Sequence, residues 1–135
     1  MGSMLLGMTV YRIEIDDEFC AAHSIRIRGE EEPVHGHNWQ VRVVIESPEL
    51  DEDGLVCDFH DVQDHLRSIL DPFRNQSLNA VAPFDTVNPT AELVAHHIAT
   101  RLQSHMRAPA RVVSARVSEA PGCRAEVVLG AENQS

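Results

Sequence analysis

The residues best suited to chemistry in this chain are three histidines. His35 and His37 are separated only by Gly36, and His23 precedes them by a short stretch. Residues two apart on a β-strand project to the same side of the sheet, so His35 and His37 point together if their segment is extended. His23 ends the stretch Phe19-Cys20-Ala21-Ala22-His23, which can pair beside them as the other arm of a hairpin. Three neutral imidazoles converging on one ion leave a fourth position open, the arrangement of catalytic rather than closed structural zinc. A bare His-x-His pair also suits two polar side chains at the mouth of a strand; His23 is what turns the reading toward zinc.

These rings need elements to aim them. Residues 9–16 alternate, with Tyr11, Ile13 and Ile15 on one face of a half-buried strand. Residues 19–28 continue extended and deliver His23. Residues 29–34, with Glu30, Glu31, Glu32 and Pro33, read as a loop. Residues 38–46 alternate again, and the face of Trp39, Val41, Val43 and Ile45 extends backwards to His37 and His35. The metal then sits at the end of the buried face, partly shielded from solvent.

After an acidic, turn-rich connection over 47–54, Asp58 offers an N-cap for a helix over 59–70 with Phe59, Val62, Leu66, Ile69 and Leu70 as its apolar stripe. Residues 71–88, containing Pro72, Asn79 and Pro83, form a connection long enough to be functional. Pro89 opens a second helix, Thr90 assists its cap, and Glu92 favours its positive end. Its apolar positions run from Ala91 to Met106, and residues 107–109 end it. His96, His97 and His105 read as solvent-facing or rim residues.

Residues 111–119 form a strand with Val113, Ala115, Val117 and Glu119 on one face. Beyond the Pro121-Gly122 turn, residues 123–129 pair back. Two strands, two helices and two strands argue an α+β fold: a four-stranded antiparallel sheet with both helices on one face. One domain is expected over 9–130. Residues 1–8, beginning Met1-Gly2-Ser3-Met4, read as a disordered or tag-derived start, and 131–135 as a polar tail.

A net charge of −10, with arginine and no lysine among the basic residues, argues against nucleic acid and anionic membranes as partners. No apolar run is long enough to span a bilayer. Cys20, Cys57 and Cys123 are odd in number and form no close pair, which argues against a disulfide framework or zinc knuckle and for a reducing cytoplasm.

Glu119 is the second unusual residue, a carboxylate on the apolar side of its strand, costly to bury without a partner. It either marks an exposed strand end or accepts two N–H bonds from a guanidine-like edge such as that of a pterin.

With these residues in view, the chain resembles the 6-pyruvoyl-tetrahydropterin synthase family, which includes 6-carboxytetrahydropterin synthase. Phe19-Cys20-Ala21-Ala22-His23 is similar to the family's F-x-A-A-H segment, and His35-Gly36-His37-Asn38 to its H-G-H-N motif. Gly54-Leu55-Val56-Cys57-Asp58-Phe59 resembles G-M-V-x-D-F. Leu78-Asn79 and Pro89-Thr90-Ala91-Glu92 resemble its L-N and P-T-x-E segments. The resemblance implies a tunnelling fold (T-fold) whose subunits close their sheets into a trimeric barrel, two trimers stacking into a hexamer with active sites between subunits. It implies zinc on His23, His35 and His37, a pterin anchored by Glu119 with Thr90 nearby, and 7,8-dihydroneopterin triphosphate as substrate.

The chain departs from the family at the acid/base positions. The catalytic cysteine, about four residues before H-G-H in the family, is Glu31 here; the family's Asp-His pair before L-N is Arg74 and Asn75. A relative with glutamate in place of that cysteine cleaves the side chain to 6-hydroxymethyl-7,8-dihydropterin, which makes Glu31 the candidate acid/base. Arg74 could bind an anionic group and Asn75 could hydrogen-bond a substrate. The alternatives are a divergent member with another substrate and a zinc- and pterin-binding protein without turnover.

Overall fold

The structure, a computed structural model, describes residues 9–130. The expectations for residues 1–8 and 131–135 fall outside them. Strand β1 (Tyr11–His23) runs antiparallel to β4 (His35–Ser47), and the connection between them carries a small hairpin of β2 (Arg26–Ile27) and β3 (Glu30–Glu31). Helix α1 (Phe59–Leu70), a short strand β5 (Gln76–Ser77), helix α2 (Ala91–Gln103), β6 (Arg111–Ala120) and β7 (Cys123–Val128) follow. The main sheet has the order β5-β1-β4-β6-β7.

The sheet is thus five-stranded rather than four-stranded. The addition is β5, which pairs in parallel with β1 at Ala21 and Ala22 only. Its two residues are too short for alternation to reveal. The segment read as a plain loop likewise holds β3, which pairs with β2 in a hairpin closed by Arg28 and Gly29, both at positive φ.

The strands β1 and β4 follow their alternation. Ile15, Phe19 and Ala21 on β1 and Trp39, Val41, Val43 and Ile45 on β4 are buried under the helices. Phe19 stacks on Trp39 with ring centroids 5.8 Å apart. On β6 a register irregularity opposite Val44 and Ile45 turns Val112 inward, and Val113, expected on the core face, is only partly covered.

Asp58 caps α1 as expected, its carboxylate accepting from the His60 N–H at 2.8 Å. The Thr90 hydroxyl accepts from the Leu93 N–H and caps α2. Helix α2 stops at Gln103, before the expected Met106. The chain there tightens into turns in which the N–H groups of His105 and Met106 bond the carbonyls of Leu102 and Gln103. Helix α1 packs beside β1 and α2 over β6 and β7, enclosing one contiguous apolar core. Among the described residues no helix is long and apolar enough to cross a membrane.

Candidate metal centre

The register of β1 against β4 decides the site. Ala21 lies opposite His37 and His23 opposite His35, so the three rings share the helix-side face at one end of the sheet. His23 is fully buried and the other two rings half-buried. Ring centroids are 4.8 Å apart for His23 and His35, 5.0 Å for His23 and His37, and 4.6 Å for His35 and His37, with every pair near edge-on. Trp39 closes the floor, its centroid 4.9 Å from that of His23.

Backbone carbonyls orient two of the rings. His23 Nδ1 lies 2.9 Å from the Pro89 carbonyl and His35 Nδ1 2.9 Å from the Pro33 carbonyl. A carbonyl only accepts, so each Nδ1 must carry the proton, leaving Nε2 with a free lone pair. Nε2 of His23 and of His37 are buried and have no hydrogen-bond partner among the described residues. A buried polar atom without a partner is costly, and two converging ones fit a cation bound between them. One ligand atom from each of His23, His35, His37 and Glu119 lies within 4.8 Å of the others. Burial holds the His37 imidazole below its ordinary pKa; Glu119 pulls it up, and His23 and His35 push it down. The neutral form that a metal needs is therefore favoured.

The other expected site residues divide. Glu119 joins the cluster, its Oε1 3.5 Å from His37 Nε2 and 4.0 Å from His23 Nε2. Thr90 follows Pro89, whose carbonyl holds His23, and spends its hydroxyl on the α2 cap. Glu31 is exposed on β3, paired in register with Arg26, and is not in the cluster. Arg74 straps the end of β1: its nitrogens donate to Asp71, to the Glu18 carbonyl and to Asp17. Asn75, at positive φ, donates its N–H to the Cys20 carbonyl and lines a cleft with Cys20, Gly36 and His37. Gly36 has an ordinary backbone there, and a methyl group built on it meets nothing within 4 Å.

Two asparagines do positioning work that their identity alone did not reveal. The Asn79 amide accepts from the Ser24 N–H and donates to the Ser24 carbonyl, both at 2.8 Å. Asn88 does the same to Arg26, at 2.8 and 2.9 Å. Each imitates one residue of a neighbouring strand and fixes the chain just past His23. His97, expected as a solvent-facing or rim residue, is half-buried and packs against both Phe73 and Phe84, with centroids 5.6 Å from each.

Fold and site together define an α+β protein that carries a preformed three-histidine centre at one end of a mainly antiparallel sheet. The family model described as 6-pyruvoyl tetrahydropterin synthase matches residues 12–129, and the chain belongs to that family. It is 34% identical over 59 residues to 6-carboxy-5,6,7,8-tetrahydropterin synthase of Helicobacter pylori, a stretch covering 42% of this chain and 30% of that protein. It is 39% identical over 67 residues to an Archaeoglobus fulgidus protein provisionally given the same name, covering 50% and 57% respectively. The match thus spans less than two thirds of either relative. Among solved structures, Caenorhabditis elegans 6-pyruvoyl tetrahydropterin synthase superposes with a TM-score of 0.79 at 24% identity, covering 91% of this chain and 98% of that one. The Plasmodium vivax 6-pyruvoyl tetrahydropterin synthase gives 0.70 at 18% identity, covering 88% and 97%. At these identities the superpositions speak for the fold.

Proposed function

We propose that the chain is a zinc-dependent lyase of the 6-pyruvoyl tetrahydropterin synthase family acting on 7,8-dihydroneopterin triphosphate or a related pterin. The observation that carries this is the pair of buried, partnerless Nε2 atoms of His23 and His37 converging with His35. Zinc held there supplies a Lewis acid for hydroxyls on a substrate side chain. The protein's own part is to fix the rings through the Pro89 and Pro33 carbonyls and to wall the centre with Trp39.

Glu31 is given the proton-transfer role. Two further structures of the Plasmodium vivax protein are described as catalytic-residue mutants in which a glutamate is replaced, which supports a glutamate in that role on this fold. Glu31 lies on a two-residue strand of a small hairpin, outside the main sheet, so this role requires that it approach the centre when substrate binds. The cleft that Asn75 shares with His37 supports a substrate-contact role for it, and Arg74 holds its turn.

Self-association, as trimers or hexamers closing a barrel, is supported by two open sheet edges: β5 covers β1 only at Ala21 and Ala22, and β7 has no outer partner among the described residues. Exposed Tyr11 and Val128 mark the same end of these edges. A cytoplasmic location accords with three free cysteines, two of them exposed.

The test is incubation of the zinc-loaded protein with 7,8-dihydroneopterin triphosphate and identification of products by mass. The expected product is 6-hydroxymethyl-7,8-dihydropterin, lost in Glu31→Gln. Unchanged turnover in that variant would remove Glu31 from the chemistry. A second reading, pterin binding without turnover, is favoured by the commitment of Arg74 to structural contacts where the family has an acid/base residue; it predicts tight pterin binding and no product.

A further inference from the structure

We propose that Glu119 is a fourth ligand to the metal, closing the centre in the substrate-free protein, and that a ligand enters by displacing it. This rests on the reading of the three imidazoles as a metal site. It gives Glu119 a different task from gripping the far edge of a heterocycle.

The distances fit. A tetrahedral zinc site with bonds of about 2.0–2.1 Å separates its ligand atoms by about 3.3–3.4 Å. Glu119 Oε1 stands 3.5 Å from His37 Nε2 and 4.0 Å from His23 Nε2.

The electrostatics point the same way. The Pro89 and Pro33 carbonyls hold His23 and His35 with the proton on Nδ1, so both offer lone pairs on Nε2. At 4.0 Å from the His23 lone pair, the Glu119 oxygen is acceptor against acceptor, and a cation between them reverses the sign. Among the described residues Glu119 has no lysine or arginine partner; its only close cationic candidates are the rings of His37 and His23.

The backbone also allows movement. Glu119 lies at the register irregularity between Ser118 and Ala120, one residue from the turn that ends β6. Its side chain is 27% exposed and borders a cleft of about 500 Å³ shared with Gly36, His37, Ser118 and Arg124. A displaced carboxylate therefore has a polar space to occupy without disturbing the core.

The test uses the full chain stripped of metal and reloaded with cobalt(II). Wild type, Glu119→Gln and Glu119→Ala are compared by visible absorption from pH 6 to 9 and by competition with a chromogenic chelator. Circular dichroism confirms that each variant is folded. In a closed centre no bound water is available to ionise, so the wild-type spectrum stays constant with pH. Both variants admit water, whose pKa on such an ion falls near 7, so their spectra titrate. Metal affinity falls by about ten-fold or more. A wild-type spectrum that titrates like the variants, with equal affinity, overturns the fourth-ligand assignment and leaves the three-histidine centre standing. Failure of the wild type to bind cobalt or zinc overturns both.

Discussion

Replacing His37 by leucine should move the stability of the metal-free and metal-loaded protein in opposite directions. In the metal-free state His37 Nε2 is buried without a partner, and an unsatisfied buried polar atom costs about 1–3 kcal/mol. Leucine fills similar space on the wall beside Trp39 without that atom. The metal-free variant should therefore melt at or above the wild type, by up to about 1 kcal/mol once lost ring contacts are set against the relief. With zinc the balance inverts. At free zinc 100-fold above its dissociation constant, binding stabilises the wild type by about 2.7 kcal/mol, which for a domain of this size raises the melting temperature by roughly 10 °C.

The variant, with two imidazoles left, should lose most of that rise. Acid adds a further signature. Burial lowers the pKa of folded His37, so the unfolded chain takes up more protons once the pH drops below about 6.5. Metal-free wild type then loses stability as pH falls from about 6.5 to the folded value, and above about pH 7.5 this contribution vanishes. His37→Leu lacks that part of the slope. Differential scanning calorimetry with and without zinc, at pH 7.5 and 5.5, reads all of these quantities. An equal zinc-induced rise in both proteins, or a metal-free variant several kcal/mol less stable than wild type, would refute the reasoning.

The asparagine braces behind His23 make a second case. Asn79→Ala and Asn88→Ala each remove two hydrogen bonds to the Ser24 and Arg26 backbone. Each should lower stability by about 1–2 kcal/mol in urea titrations and speed hydrogen exchange at the Ser24 or Arg26 amide, with weakened zinc retention. His97 is held below its ordinary pKa first by burial and then by Arg101 and His96. Its stability contribution is lost as pH falls through about 6.5, so His97→Leu should melt with a shallower drop between pH 7 and 5.5; an unchanged slope counts against this origin.

Much of the centre was legible because it obeys strand parity. His35 and His37 share a face with Trp39, and His23 meets them across an antiparallel pair. The face of Glu119 was readable too, since Ala115 and Val117 precede it at the same period. Helix α1 runs over the residues that its stripe and Asp58 cap marked. What escaped depended on backbone rather than side-chain type. The acceptors that orient His23 and His35 are carbonyls of Pro89 and Pro33, and every residue has a carbonyl. The β5 strand and the β2–β3 hairpin are two-residue elements held by partners distant in sequence, so no local period announces them. The contacts of His97 with Phe73 and Phe84 were not legible because both come from the long connection, whose path no pattern specified.

Gly36, between the two ligating histidines, has a further consequence. Neither backbone torsion nor crowding requires glycine there, since a methyl group would find open space. Its Cα direction is opposite to that of the flanking rings. Side chains of increasing size at this position should thus narrow the cleft with Cys20 and Asn75 step by step while the imidazoles keep their spacing. The strand thus holds a position where bulk can be added on one side of the sheet independently of how tightly the ion is held on the other.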